Sequence, residues 1–255
     1  MNEDRCPRAL VTGGGRRIGA VLVRRLADLG LEVWIHAFRS EAEAEALRAS
    51  LPGPARHAVT LCDLGDAGTR AQWLASLPAF DLVVNNASVY RLTLPGERET
   101  AAQRDHYWEV NLEAPLAIIR HQYDRLNGAG GLAVNLLDSD ILEETGGIAP
   151  AVKLPEGVDS YLETRRALGL ATVMLARELA PGLRVNGIAP GPVLPPVDCA
   201  GPGLRRILAR VPSGRAVAVE AIAATLEFLW RTPDLTGAVI PVDGGMHLKA
   251  NPERA

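Results

Sequence analysis

Short apolar runs alternate along the chain with stretches whose apolar residues recur every three or four positions. Ala9-Leu10-Val11 is continuous. Ile18, Val21, Leu22, Leu26 and Leu29 then fall at helical spacing until Gly30 ends the pattern. Residues 32–37 read as a second strand. An Ala/Glu-rich helix follows from Ser40, a suitable N-cap, to about Ser50, and Pro52-Gly53-Pro54 closes the unit. The same alternation predicts strands at 57–61, 81–85, 131–137, 183–187 and 237–241. It predicts helices near 67–77, 101–126, 159–180 and 219–231, with Pro115 breaking the one at 101–126. Strands such as Asp81-Leu-Val-Val and Leu132-Ala-Val-Asn-Leu-Leu run apolar without a polar face, which suits burial on both sides. The prediction is an α/β fold, a doubly wound parallel sheet with helices on both faces. No linker divides the chain, so residues 1–255 read as one domain.

Two segments break the alternation. Residues 141–159 are rich in Gly, Pro and Glu and extend the connection between a strand and a helix. Residues 190–213 carry several prolines and glycines after the next strand. Both follow strands, at the edge of the sheet where doubly wound folds bind ligands, and the second reads as a substrate loop.

Composition excludes several classes. The net charge is −3 with 27 Lys+Arg against 30 Asp+Glu and no basic cluster, which argues against a nucleic-acid or membrane surface. The longest apolar stretch, near Gly169–Ala176, is too short to span a bilayer, and the polar N-terminus carries no signal-peptide pattern. Cys6, Cys62 and Cys199 are scattered, so a cytoplasmic location fits better than an oxidising one. The five histidines show no ligand spacing, and no metal site is expected.

The chemistry begins at Thr12-Gly13-Gly14-Gly15-Arg16-Arg17-Ile18-Gly19, between the first strand and the first helix. Glycines there let the backbone turn tightly and approach a pyrophosphate, whose charge is stabilised by free N–H groups at the helix start. The second strand ends in Val33-Trp-Ile-His36-Ala-Phe-Arg39-Ser40, with no carboxylate for a ribose 2′-hydroxyl. Arg39 instead offers a fork of donors to a 2′-phosphate, with Ser40 beside it and His36 near the adenosine, so the expected dinucleotide is NADP(H).

With these features the chain resembles the short-chain dehydrogenase/reductase superfamily over almost its full length. Further landmarks occur in order: Cys62-Asp63-Leu64, Asn85-Asn86-Ala87, Asn111, Tyr161, Arg184-Val-Asn-Gly-Ile-Ala-Pro190-Gly191 and Val242-Asp243-Gly244-Gly245. The resemblance implies a Rossmann-like fold. It implies a cofactor site with Asp63 and Leu64 at the adenine, Asn86 and Ala87 along the dinucleotide, and Pro190 and Gly191 after the sixth strand. Within the superfamily the chain looks most like pteridine reductases and dihydromonapterin or dihydrofolate reductases. Arg17 in the glycine loop, the His36-Ala-Phe-Arg39-Ser40 segment and Asn85-Asn86-Ala87-Ser88 leading to Tyr90 carry that likeness. It implies a small flat substrate held by Arg17, Ser88 and a stacking Tyr90.

The resemblance also implies hydride transfer from the nicotinamide, with Asn111, Tyr161 and residue 165 in the catalytic set. The family pairs Tyr with Lys four residues on, one helix face carrying both, so that the cation lowers the phenol from its usual value near 10. Here the second member is Arg165, a permanent cation with a planar fork of donors. Most relatives place a Ser after the fifth strand. This chain has Asp138-Ser139, and pteridine reductases carry Asp at that point. Asp138 as acid and Ser139 as a conventional partner both stay open. So do three activities: reduction of a pterin-like compound, a generic carbonyl or 3-oxoacyl reductase, and a catalytically weak NADP(H)-binding protein. Relatives generally assemble as tetramers through their long helices, here 101–126 and 159–180, so a homotetramer or dimer is expected.

Overall fold

The computed structural model describes residues 5–90, 99–150, 159–193 and 208–248. Seven strands among them form one parallel sheet in the order β3-β2-β1-β4-β5-β6-β7. They are β1 (Arg8–Val11), β2 (Glu32–Ala37), β3 (Ala58–Leu61), β4 (Leu82–Asn85), β5 (Leu132–Leu136), β6 (Arg184–Pro190) and β7 (Val239–Val242). The order reverses between β1 and β4, the place where the carboxyl ends of the strands leave a crevice. Strands β1, β4 and β5 carry almost only buried residues, as their unbroken apolar runs require.

The helices are α1 (Arg17–Asp28), α2 (Glu41–Ala49), α3 (Ala67–Ser76), α4 (Ala101–Trp108), α5 (Ala114–Leu126), α6 (Asp159–Glu178) and α7 (Val219–Arg231). Leu22, Val23 and Leu26 of α1 and Ile222, Leu226 and Leu229 of α7 belong to the core cluster on one face of the sheet. Ile118 of α5 and Trp73 of α3 pack on the other. Fully burying one such aliphatic side chain contributes about 1.5–3 kcal/mol, so each face is held by several of them.

The expected break at Pro115 is a π turn over Glu109–Glu113, between α4 and α5. Pro115 has no N–H to return to the carbonyl of Asn111, so the regular ladder cannot run through this point. Asn111 sits inside the turn with its side chain fully buried.

One expected boundary shifts. The strand predicted from residue 57 begins at Ala58. His57 is buried and accepts the N–H of Val33 at 3.0 Å, closing the edge of β2 from the side. Leu142 and Ile148 pair as an antiparallel bridge. Ile141 and Ile148 press on α6, where a Cβ added at Gly169 would meet their Cδ1 atoms at 3.0 and 3.1 Å. Apolar residues in a polar loop seek cover, and α6 supplies it. The rest of the 141–159 segment, most of the 190–213 loop and Cys199 lie outside the described residues.

Candidate active site

The glycine loop is built from β1 into α1 and is held by β4. Thr12 Oγ1 accepts the N–H groups of Asn86 and Ala87, both at 3.0 Å, and Asn86 Nδ2 donates to the carbonyls of Thr12 and Gly13 at 2.9 and 3.1 Å. Gly13 has φ +61° and lies against Ala87, so a side chain there would be strained and crowded. A Cβ at Gly19 would collide with the carbonyl of Gly13. No side chain caps α1 and no acid stands in its first turn, so the N–H groups at that end are open to an anion.

His36 is buried beneath this loop. Its Nδ1 accepts the N–H of Gly13 at 3.2 Å, which leaves Nε2 protonated and donating to the carbonyl of Cys62 at 3.0 Å. Burial pushes its pKa down to about 4, so the ring is neutral. It fixes Gly13 of the glycine loop. Arg39 is exposed at the end of β2, its guanidinium 5.0 Å from the Phe38 ring centroid. Ser40 starts α2 but makes no capping bond with its side chain, and Arg16 pairs loosely with Glu43 at 3.5 Å. Asp63 uses Oδ1 to accept the N–H of Gly65 at 2.9 Å, and Leu64 is buried beside it. Gly191 lies against Asp243, where a Cβ would come within 2.8 Å of its Cα, and its N–H bonds the carbonyl of Val242.

A second cluster forms where β5, α6 and the segment after β4 meet. The phenol of Tyr161 donates to Asp138 Oδ2 at 3.1 Å, while Asp138 Oδ1 accepts the N–H of Asp140 at 2.9 Å. Burial raises the pKa of Asp138, with the Asp140 charge adding to it, and Arg165 opposes both. Burial also raises Tyr161, and a charged Asp138 raises it further. Arg165 is buried under the pair, 5.5 Å from the Tyr161 ring centroid, and donates Nη1 to the carbonyl of Leu136 at 3.2 Å. Its Nε has no partner. The ring of Tyr90 meets that of Tyr161 edge-on at 4.8 Å and is about half exposed.

Asn111 ties this cluster to the segment after β4. Its Oδ1 accepts Ser88 Oγ at 3.2 Å and Val89 N at 2.9 Å, and its Nδ2 donates to Val89 O and to Thr164 Oγ1. Asn85 Nδ2 donates to Asn135 Oδ1 and Asn135 Nδ2 to Thr172 Oγ1, a buried bridge that fixes α6 to the sheet.

A family described as Enoyl-(Acyl carrier protein) reductase matches residues 14–247. The chain belongs to the short-chain dehydrogenase/reductase superfamily. L-xylulose reductase of Bos taurus is 34% identical over 248 residues, 93% of this chain and 95% of that protein. FolM Alternative dihydrofolate reductase 1 from Brucella canis, solved in complex with NADP, is 34% identical, covers 98% of both chains and superposes with a TM-score of 0.81. Its counterpart from Brucella suis, also with NADP, is 33% identical with a TM-score of 0.83. The chain is thus a member of a superfamily of NAD(P)-dependent oxidoreductases with a single-domain Rossmann-like fold.

Within this short-chain reductase most of the residues singled out from the sequence fall into two groups at the same sheet edge. Thr12, Gly13, Gly15, Arg16, Ile18, Gly19, His36, Ser40, Asn86 and Ala87 make up or support the glycine loop, and Arg39 stands exposed after β2. Asn111, Asp138, Tyr161, Arg165, Ser88 and Tyr90 form the second cluster. Of the two open candidates after β5, Asp138 meets the phenol. Ser139 is buried with no partner for its hydroxyl. Arg17 has φ +53°, left-handed backbone at a position that favours glycine. Sequence reasoning missed Thr164, which bonds both Asn111 and the Tyr161 carbonyl. It also missed the pairing of Asp140 with Arg210 at 2.5 Å. Thr164 stands between Tyr161 and Arg165 and was within reach of a helical-face argument. The second pair is 70 residues apart and left no signal.

Proposed function

We propose that this chain is an NADPH-dependent reductase of a small, flat pterin-like substrate. The observation that carries the reading is the carboxyl of Asp138, rather than the hydroxyl of Ser139, against the phenol of Tyr161. The dinucleotide fits the residues present. Uncapped N–H groups open α1, and Arg39 and the uncapping Ser40 stand where a 2′-phosphate needs donors. The relatives from Brucella solved with NADP support the same cofactor.

When bound, the reduced nicotinamide supplies the hydride. Asp138 holds the proton that the reduced product must gain, because a carboxyl in a poorly solvated site keeps its proton at a pH where an exposed one has lost it. Tyr161 donates its own O–H to Asp138 Oδ2 and so orients the carboxyl. Arg165 contributes a positive charge that limits how far both groups are raised. Asn111 fixes the segment that carries Ser88 and leads to Tyr90, whose half-exposed ring offers a stacking face. Arg17 offers donors to ring acceptors.

A generic carbonyl reductase is the second reading, favoured by the L-xylulose reductase relatives. A third, a catalytically weak NADP(H)-binding protein, rests on Arg165 in place of Lys. Steady-state NADPH oxidation with quinonoid, 7,8-dihydro and fully oxidised pterins, and with a simple ketone, separates them. Turnover of a pterin is expected. Reduction of the ketone alone would discard the substrate, and turnover of neither with NADPH bound would support the third reading.

We infer further that copies of the chain associate as a tetramer. Leu170, Val173 and Met174 form an exposed apolar face on α6, and Phe228 another on α7. Light scattering of the purified protein gives the mass. Residence in the cytoplasm belongs to the same reading. Among the described residues no helix is long and apolar enough to cross a membrane.

A further inference from the structure

The acid of the proposed reaction is tied to a charged pair that lies beyond the catalytic cluster. Asp138 lies two residues beyond β5, and the chain turns at once through Ser139–Ile141. That turn brings the N–H of Asp140 to Asp138 Oδ1 at 2.9 Å. It also places a second carboxylate beside the first. Arg210, near the end of the 190–213 loop, donates Nη2 to Asp140 Oδ1 at 2.5 Å. The charged and titratable groups around Asp138 are Asp140 from its own turn and Tyr161 and Arg165 from α6, with Arg210 paired to Asp140.

We propose that Arg210, acting through Asp140, is a positioning residue that sets the pH range over which Asp138 holds its proton. The proposal rests on the reading of Asp138 as the acid. An uncompensated Asp140 carboxylate repels negative charge on Asp138 and favours its protonated form, and the guanidinium of Arg210 cancels part of that repulsion. The side chains of Arg210 and Asp140 are 59% and 33% exposed, so the pair adds little to stability. Its effect is instead directed, because the backbone of the paired acid is itself bonded to the catalytic carboxyl. The link also joins the acid to the chain segment that closes the substrate loop.

The test is the pH dependence of kcat/KM for NADPH oxidation in wild type, Arg210→Gln, Asp140→Asn and the double variant. The substrate is a 7,8-dihydropterin, or the simple ketone if that is the compound reduced. A proton donor is active while protonated, so activity falls as pH rises through the acid's pKa. Arg210→Gln is expected to move that fall upward and Asp140→Asn downward, each by a few tenths of a pH unit. The double variant is expected to match Asp140→Asn, because Arg210 works only through that carboxylate. Raising the salt concentration narrows the gap between wild type and Arg210→Gln.

A merely structural ion pair would lower activity in both single variants without moving the fall in opposite directions, and that result overturns the proposal. So does an unmoved profile in both. Asp138→Asn separates this failure from failure of the underlying reading. If Asp138→Asn keeps both turnover and the fall with pH, Asp138 is not the acid. If it loses them while Arg210→Gln and Asp140→Asn leave the profile in place, only the role of Arg210 has failed.

Discussion

The hydroxyl of Tyr161 donates to Asp138 across 3.1 Å, and burial raises the pKa of both partners. Each group therefore resists losing its own proton, and the phenol points its proton at the carboxyl. Replacing Asp138 by Asn is expected to lower kcat by about 10²–10⁴-fold, the range for loss of a general acid. Ser139→Ala is expected to leave kcat near wild type, since that hydroxyl has no partner. Steady-state kinetics of the two variants check the pair, and the reverse order would point to the carbonyl reductase.

Asp138 also makes a prediction about stability. Its folded pKa lies above the unfolded value, so the folded protein holds this proton more tightly. The benefit is complete below the unfolded value, near 3.8, and is lost as pH rises through the raised one. Above the unfolded value, folding must either take up a proton or bury the charge, and both cost stability. Thermal melts at neutral pH are therefore expected to show Asp138→Asn melting higher than wild type, with the advantage vanishing in acid. Equal melting temperatures at both pH values would contradict the shift.

Arg165→Lys tests whether the arginine is adapted to its place. The guanidinium both bonds the carbonyl of Leu136 and lies over the Tyr161 ring. A single ammonium on a flexible stem is not expected to do both. A fall in kcat of about tenfold is expected, and a rise would support a degraded pair.

Arg39→Glu is expected to weaken NADPH binding by about 10–100-fold, the loss of charge-assisted bonds, and to leave NADH binding little changed. Fluorescence titration of both reduced dinucleotides measures it. Equal weakening of the two would mean that residue 39 does not meet the 2′-phosphate.

Arg17 occupies left-handed backbone that costs an L residue about 1–2 kcal/mol. Arg17→Gly relieves that strain but gives the unfolded chain more freedom, so the net gain in stability is expected to be about 1 kcal/mol or less. The same variant is expected to raise the KM for substrate several-fold. Calorimetry and kinetics together separate backbone comfort from ligand binding.

Much of this protein was legible before any coordinates. The strands of a sheet buried on both faces and the amphipathic helices between them are marked by near-neighbour patterns, because burial of a strand or helix face depends on residues two to four positions apart. Gly13 and Gly19 announced a loop that admits no side chain, and the absence of a carboxylate between Val33 and Arg39 announced the dinucleotide. What pairs with what was another matter. Leu168, Thr172 and Leu175 face the core while Leu170, Val173 and Met174 face outward, a division that apolar character alone does not make. Asp138 rather than Ser139 reached Tyr161, His36 turned inward to hold Gly13, and Arg210 met Asp140 across 70 residues. These contacts follow from strand order and from the turn after β5. Interactions between distant segments are decided by how the packed elements bring them together, and no local pattern carries that information.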